Sequence, residues 1–227
     1  DSVSDKAKII AGTGTYSTSE SIEITKIADS LGVDGIMIVT PYYSKPSQHG
    51  ILRHFEEISK ITDLPIMAYN IPGRTSTLIE LETLQTLVVD IGIHSIKDAV
   101  GDFEFSKKQL ELLKDKADIY SGNDNQTYDF VINGGAGVVS VASHVVGDEI
   151  SEMISFAKDN DLEKAEEINM QLSNLFESIF EEPSPGPIKK ILSESWEEVG
   201  EPLLPITTIT PELANKIRGF YKKIKEN

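Results

Sequence analysis

Short apolar runs alternate with longer amphipathic stretches along most of the chain. The runs are Lys8–Ala11, Gly35–Val39, Pro65–Tyr69, Ile93–Lys97, Asp118–Ser121 and Gly137–Val141. Each is short, rich in Ile and Val, and bounded by Gly, Pro, Asn or Asp. That is the character of strands buried on both faces of a parallel sheet. Glu20–Leu31, between the first two runs, carries Ile22, Ile24, Ile27, Ala28 and Leu31 among polar residues. His49–Ile61, Glu80–Val89 and Glu104–Lys114 are patterned in the same way. These stretches read as the crossover helices of βαβ units. After the sixth run only helical stretches follow: Asp148–Lys158, Asp161–Phe180, Gly186–Ser193 and one opening at Thr210-Pro211-Glu212, where proline stands near the first helical position.

Successive runs lie about 25–30 residues apart, which fits the repeat of a (β/α)8 TIM barrel. The fold class is therefore α/β, of the (β/α)8 type, with six βα units visible. Residues 1–160 form the partial barrel and residues 161–227 a C-terminal helical extension. An open doubly wound sheet is the alternative, but its phosphate-binding fingerprint fails: Gly12-Thr13-Gly14-Thr15-Tyr16 is followed by Ser17 where a third glycine belongs.

Composition narrows the function classes. The net charge of −16 argues against nucleic-acid and anionic-membrane partners. The absence of cysteine removes disulfides, thiolate catalysis and Cys-based metal sites. No apolar run reaches the ~20 residues of a membrane helix, and no signal peptide is visible, so a cytoplasmic location is expected. The four histidines, His49, His54, His94 and His144, are dispersed. His49 and His54 are five apart rather than four, so no metal site is expected. Gly134-Gly135-Ala136-Gly137 serves either a close backbone approach to a ligand or a tight turn into a strand.

In a βα barrel the chemistry gathers at the C-terminal ends of the strands. Lys97 closes the fourth run, where an uncompensated ammonium is costly. Such a lysine either reaches a carboxylate or has a depressed pKa, and the second case suits imine formation with a keto substrate. A strand-end lysine reaching into solvent is the commoner arrangement. Tyr69 closes the third run, and a phenol hydrogen-bonded in a site can shuttle a proton. Arg74, on the loop with Pro72 and Gly73, suits bidentate binding of a carboxylate. Core packing for the tyrosine and plain exposure for the arginine are the ordinary readings of each residue alone.

Taken together, the strand-end strings resemble the dihydrodipicolinate synthase / N-acetylneuraminate lyase family. They are IAGTGTYSTSESI (9–22), VTPYYSKPSQHG (39–50), PIMAYNIPGRT (65–75), IKDAVGD (96–102), YSGND (120–124) and GGAGVVSV (134–141), with PSPGPIKKIL (183–192) before the late helices. YNIPGRT followed at this spacing by IKDAVGD is the most specific pair, and the resemblance runs essentially the length of the chain.

The resemblance implies a class I lyase. Lys97 would form a Schiff base with pyruvate, and Tyr69 would act as general acid/base. Tyr43 would reach into the site of a neighbouring subunit and complete a proton relay. Arg74 would bind the carboxylate of aspartate semialdehyde, while Gly122 and Val139 would line the pyruvate pocket with backbone. The product would be 4-hydroxy-tetrahydrodipicolinate, in lysine biosynthesis. No cofactor or metal is implied, because the imine itself is the electron sink. A homodimer or homotetramer is implied by the role of Tyr43. Sugar-acid lyases of the family usually lack an arginine at this position, so Arg74 favours the synthase over cleavage of N-acetylneuraminate or a 2-keto-3-deoxy sugar acid.

Two departures stand out. Relatives carry two further βα units with a Gly-Thr-Thr-Gly-Glu motif that supplies a relay threonine, and no such string occurs in these 227 residues. The chain is then a piece of a longer protein, or is completed by another chain or swapped elements, or is a truncated, impaired relative that only binds ligand or partner. Secondly, Glu20 and Tyr42 match positions at which relatives bind lysine as an inhibitor, but Tyr16 stands where they have asparagine, which puts lysine inhibition in question.

Overall fold

The computed structural model describes residues 6–226. The chain packs as two compact units. The first comprises residues up to Gly122 together with Asn133–Ala136, and the second comprises Asn123–Ile132 and Gly137 onwards. The extension expected at 161–227 begins inside the second unit.

In the first unit five strands, β1 (Ile10–Gly12), β2 (Gly35–Val39), β3 (Ile66–Asn70), β4 (Ser95–Asp98) and β5 (Asp118–Ser121), pair in parallel and in chain order. Helices α1 (Thr18–Ser30), α2 (Gln48–Ser59), α4 (Leu81–Thr86) and α5 (Phe103–Leu112) make the crossovers, and a single turn, α3 (Pro72–Thr75), interrupts the third. Side chains alternate along a strand, so the register sorts the residues into rows. Ile38, Ala68, Ile96 and Ile119 form one row, with Ile36 and Ile66 beside it. All are essentially inaccessible. At about 2 kcal/mol for each large apolar side chain removed from water, these rows hold the helices on the sheet. The α2 residues Ile51, Phe55 and Ile58 are fully buried as well.

One step toward the C-terminal ends, this helix-facing side becomes polar. Asn70, Asp98 and Ser121 lie in register and are buried. Each sits where the chain leaves the sheet for a loop, and buried polar groups there can hold loop backbone that has no ladder partner.

The second unit holds the sixth strand, β6 (Gly137–Val138), and helices α6 (Thr127–Ile132), α7 (Ser143–Lys158), α8 (Leu162–Ser178), α9 (Gly186–Ser195) and α10 (Pro211–Lys225). Its core draws Val146 and Ile150 from α7, Leu172 and Phe176 from α8, Ile191 from α9 and Ile217 from α10. The six βα units followed by helices are the architecture expected from the pattern of apolar runs.

Several boundaries differ from that pattern for local reasons. Lys8, expected to open the first strand, is exposed and pairs with Asp34 at 2.7 Å instead. The sixth strand ends at Val138, because the Asp124 carboxylate accepts the Ser140 hydroxyl and the N–H groups of Val141 and Ala142. The helix expected at 80–89 becomes a wide π turn over Leu87–Ile91, closed by Gly92 at φ 85°. The seventh helix starts five residues earlier than expected, at Ser143, and is kinked at Val146.

Candidate active site

The opposite side of the first unit's sheet carries the candidate residues Tyr69 and Lys97. Val39, Tyr69, Lys97 and Tyr120 are in register across β2 to β5, one residue out of phase with the apolar rows. Lys97 and Tyr69 are half-buried. The Lys97 Nζ stands 4.0 Å from the centroid of the Tyr69 ring. A cation over a ring face at this distance is attracted by the ring quadrupole.

The backbone under this pair is fixed from both sides. Thr40, fully buried after β2, directs both its N–H and its hydroxyl to the Tyr69 carbonyl, each at 3.0 Å. After β5, the Gly122 N–H donates to the Asp98 carbonyl at 2.6 Å. A Cβ on Gly122 would lie 2.8 Å from the Ala99 Cβ, 3.1 Å from the Asp98 oxygen and 3.1 Å from the Lys97 Cε. Glycine fits there because the Ala99 side chain and the Asp98 backbone leave no room for a Cβ, and the lysine stem closes the remaining side. Asp98 itself points to the helix layer, where it accepts from the Val100 N–H and the Ser106 hydroxyl, each at 2.8 Å. Burial raises its pKa, against those hydrogen bonds.

Burial also raises the pKa of the Tyr69 phenol, and the positive charge of Arg74 opposes the shift. The phenol is therefore a neutral proton donor near pH 7. Arg74 and Tyr69 line a common cleft of about 360 Å³ with Gly12, Gly14, Met37, Val39 and Tyr42. Arg74 is exposed on α3, and its turn is closed by Ser76 in the left-handed region at φ 57°. The Thr75 hydroxyl lies 3.0 Å from the carbonyls of Ile71 and Thr77. Tyr43 is 92% exposed, on a loop where both Tyr43 (φ 68°) and Lys45 (φ 47°) adopt left-handed backbone. Left-handed backbone costs non-glycine residues roughly 1–2 kcal/mol each.

The structure thus gathers Lys97, Tyr69, Arg74 and Gly122 in one unit. Val139 lies in the other unit, half-buried immediately after β6. Of the three residues matched to a regulatory site, Tyr16 and Tyr42 meet edge to face with centroids 5.7 Å apart, and Glu20 is exposed in the first turn of α1. Tyr120, which carried no signal of its own in the sequence, stands beside Lys97 through the register of β4 and β5. Its phenol is also raised by burial, with the charge of Asp118 adding to the shift. Thr40, Gln48 and Asn70 lie within segments 39–50 and 65–75 but carry no individual signal in the sequence. Among the described residues, no group of three or more His, Asp or Glu side chains is placed to hold a metal ion, and no helix is long and apolar enough to cross a membrane.

The model of the Dihydrodipicolinate synthetase family matches residues 1–224. The 4-hydroxy-tetrahydrodipicolinate synthase of Desulforudis audaxviator is 41% identical over 223 residues, covering 98% of this chain and 76% of the relative. Among solved structures, a dihydrodipicolinate synthase from Cyanidioschyzon merolae with lysine bound is 39% identical with a TM-score of 0.93, over 97% of this chain and 75% of that one. The chloride-inhibited dihydrodipicolinate synthase of Acinetobacter baumannii, complexed with pyruvate, is 34% identical with a TM-score of 0.94, over 98% of this chain and 77% of that one. The chain thus spans about three quarters of the length of these relatives.

Proposed function

The chain belongs to the dihydrodipicolinate synthetase family, and from that premise we infer that it condenses pyruvate with aspartate semialdehyde to 4-hydroxy-tetrahydrodipicolinate through an imine on Lys97. The observation that carries the site assignment is the placement of the Lys97 amine 4.0 Å from the centre of the Tyr69 ring, in register on adjacent strands. The neutral amine adds to the keto carbon of pyruvate. Loss of water then leaves an imine that draws electrons from the neighbouring methyl carbon. That carbon gives up a proton and adds to the aldehyde of the second substrate, whose amine then attacks the imine carbon, closing the ring and releasing Lys97. Tyr69, a neutral phenol near pH 7, gives and takes the protons these steps require. Arg74, in the same cleft, clamps the carboxylate of aspartate semialdehyde as a planar two-point donor. Gly122 keeps the lysine stem in place.

Tyr43 extends from its kinked loop toward a second copy of the chain, and its near-complete exposure supports that role. We take the assembly to be a homodimer or homotetramer, working in the cytoplasm. Tyr16, Tyr42 and Glu20 form the candidate lysine-responsive surface, and titration of activity with lysine tests it.

The decisive experiment is incubation with pyruvate and borohydride, followed by mapping of the adduct by mass spectrometry. A stable adduct on Lys97 is expected, and it disappears in Lys97→Ala. An adduct on another lysine, or turnover in Lys97→Ala comparable to that of the unmodified chain, removes the assignment.

A further inference from the structure

Two side-chain amides from different parts of the first unit grip the same three residues. Asn70, at the end of β3, donates its Nδ2 to the Ile79 carbonyl and accepts the Ile79 N–H on Oδ1, both at 3.0 Å. Gln48, the first residue of α2, donates its Nε2 to the Leu78 carbonyl at 2.8 Å and accepts the Glu80 N–H at 3.1 Å. Flipping either amide would set donor against donor and acceptor against acceptor, so the pattern is self-consistent only in this orientation. Four consecutive ladder groups are satisfied without any strand pairing. Asn70 and Ile79 are fully buried, so these bonds are shielded from competing water.

The segment gripped is the far end of the excursion that carries Arg74. It leaves the sheet at Asn70, turns through α3 and returns at Leu78–Glu80. Asn70 therefore pins both ends, holding the departure and the return against each other. Gln48 adds the second tie, and it follows directly on the loop bearing Tyr42 and Tyr43, anchored by its neighbour Ser47 as the N-cap of α2.

We propose that Gln48 and Asn70 form a carboxamide clamp that positions Arg74 for the second substrate and couples its loop to the Tyr42–Tyr43 loop. Neither residue touches the reacting atoms; both are positioning residues. The functional half of this proposal rests on the reading of Arg74 given above, while the structural half does not.

The test is Gln48→Met, which keeps the length and apolar stem of a half-buried side chain and removes both hydrogen bonds. Glu80→Pro is the second variant. It deletes one donor to the clamp at φ −73°, an angle proline adopts. Two measurements follow on the full chain. The first is the rate of tryptic cleavage after Arg74, relative to cleavage at the other lysines and arginines. The second is steady-state kinetics with aspartate semialdehyde, alongside borohydride trapping of pyruvate. Loss of the clamp raises cleavage after Arg74 selectively, about tenfold for the one hydrogen bond removed in Glu80→Pro and more for the two removed in Gln48→Met. It also raises KM for aspartate semialdehyde by a similar factor, while kcat and the pyruvate adduct on Lys97 stay as they were. Unchanged cleavage after Arg74 overturns the clamp. Faster cleavage with unchanged KM overturns its role in positioning Arg74, as does an equal loss of pyruvate trapping, which would mark a general loosening. If the unmodified chain traps no pyruvate, the function proposed above falls, and the clamp is decided by cleavage alone.

Discussion

Gly122→Ala is the sharpest probe of the site, because the backbone there is ordinary and only space is at issue. The added methyl would lie 2.8 Å from the Ala99 Cβ, 3.1 Å from the Asp98 carbonyl oxygen and 3.1 Å from the Lys97 Cε. The backbone cannot retreat from the strand, since the Gly122 N–H is bonded to Asp98 at 2.6 Å. The first two neighbours are fixed, one a short side chain and the other backbone. The lysine stem is the one that can swing. Overpacking of this kind costs about 1–3 kcal/mol. For a chain of this size that lowers Tm by about 2–12 °C. Moving the amine by even a fraction of an ångström from its place over Tyr69 also reduces imine formation, by at least about tenfold when attack geometry is lost. Thermal melting followed by circular dichroism measures the first effect, and the initial rate of borohydride trapping with pyruvate measures the second. A variant that melts and traps like the unmodified chain would refute the claim that glycine is needed to seat Lys97. A lowered Tm with full trapping would show the strain being absorbed by Ala99 and Asp98, leaving the lysine untouched.

Tyr69→Phe keeps the ring under Lys97 and removes only the phenol, so the fold should persist while turnover falls about 10²–10⁴-fold; steady-state rates within a few-fold of the unmodified chain would remove Tyr69 as the proton carrier. Asn70→Leu strands the buried N–H and carbonyl of Ile79, each costing about 1–3 kcal/mol, and a melting curve should show the loss directly. His54 is buried on α2, with Nδ1 2.9 Å from the Thr18 hydroxyl and Nε2 without a hydrogen-bond partner. Burial lowers its pKa to about 4. Because the folded value lies below the ~6.5 of an unfolded histidine, this contribution is fully present above about pH 6.5 and is lost as pH falls toward 4. The loss is about 3 kcal/mol in all. Chemical denaturation at pH 7.5 and pH 4.5 should show that pH dependence reduced in His54→Phe by up to this amount; equal slopes in the two proteins would show that the histidine does not titrate as described.

The strands were readable because a βα unit buries its sheet on both sides, so each strand announces itself as an unbroken Ile/Val run between turn residues. The strand ends then direct attention to Lys97 and Tyr69 without any knowledge of contacts. What lay outside such a reading has one physical character. It consists of polar side chains satisfying backbone far away in sequence. Gln48 reaches Leu78 and Glu80 across some thirty residues, and Asp124 stops the sixth strand by taking the N–H groups of Val141 and Ala142. An asparagine or glutamine between apolar neighbours looks the same whether it faces water or closes a loop, because hydropathy records its polarity and not its partner. Tyr120 is a different case. Alternation along DIYS, set in register with IHSIK, was enough to place it beside Lys97, but an aromatic residue in a short strand reads first as core. The candidate residues Lys97 and Tyr69 were thus visible by position. Gln48 and Asn70 became visible only once the sheet had brought the loop ends together, and for that reason substitutions at these two amides are the direct test of what holds the Arg74 loop.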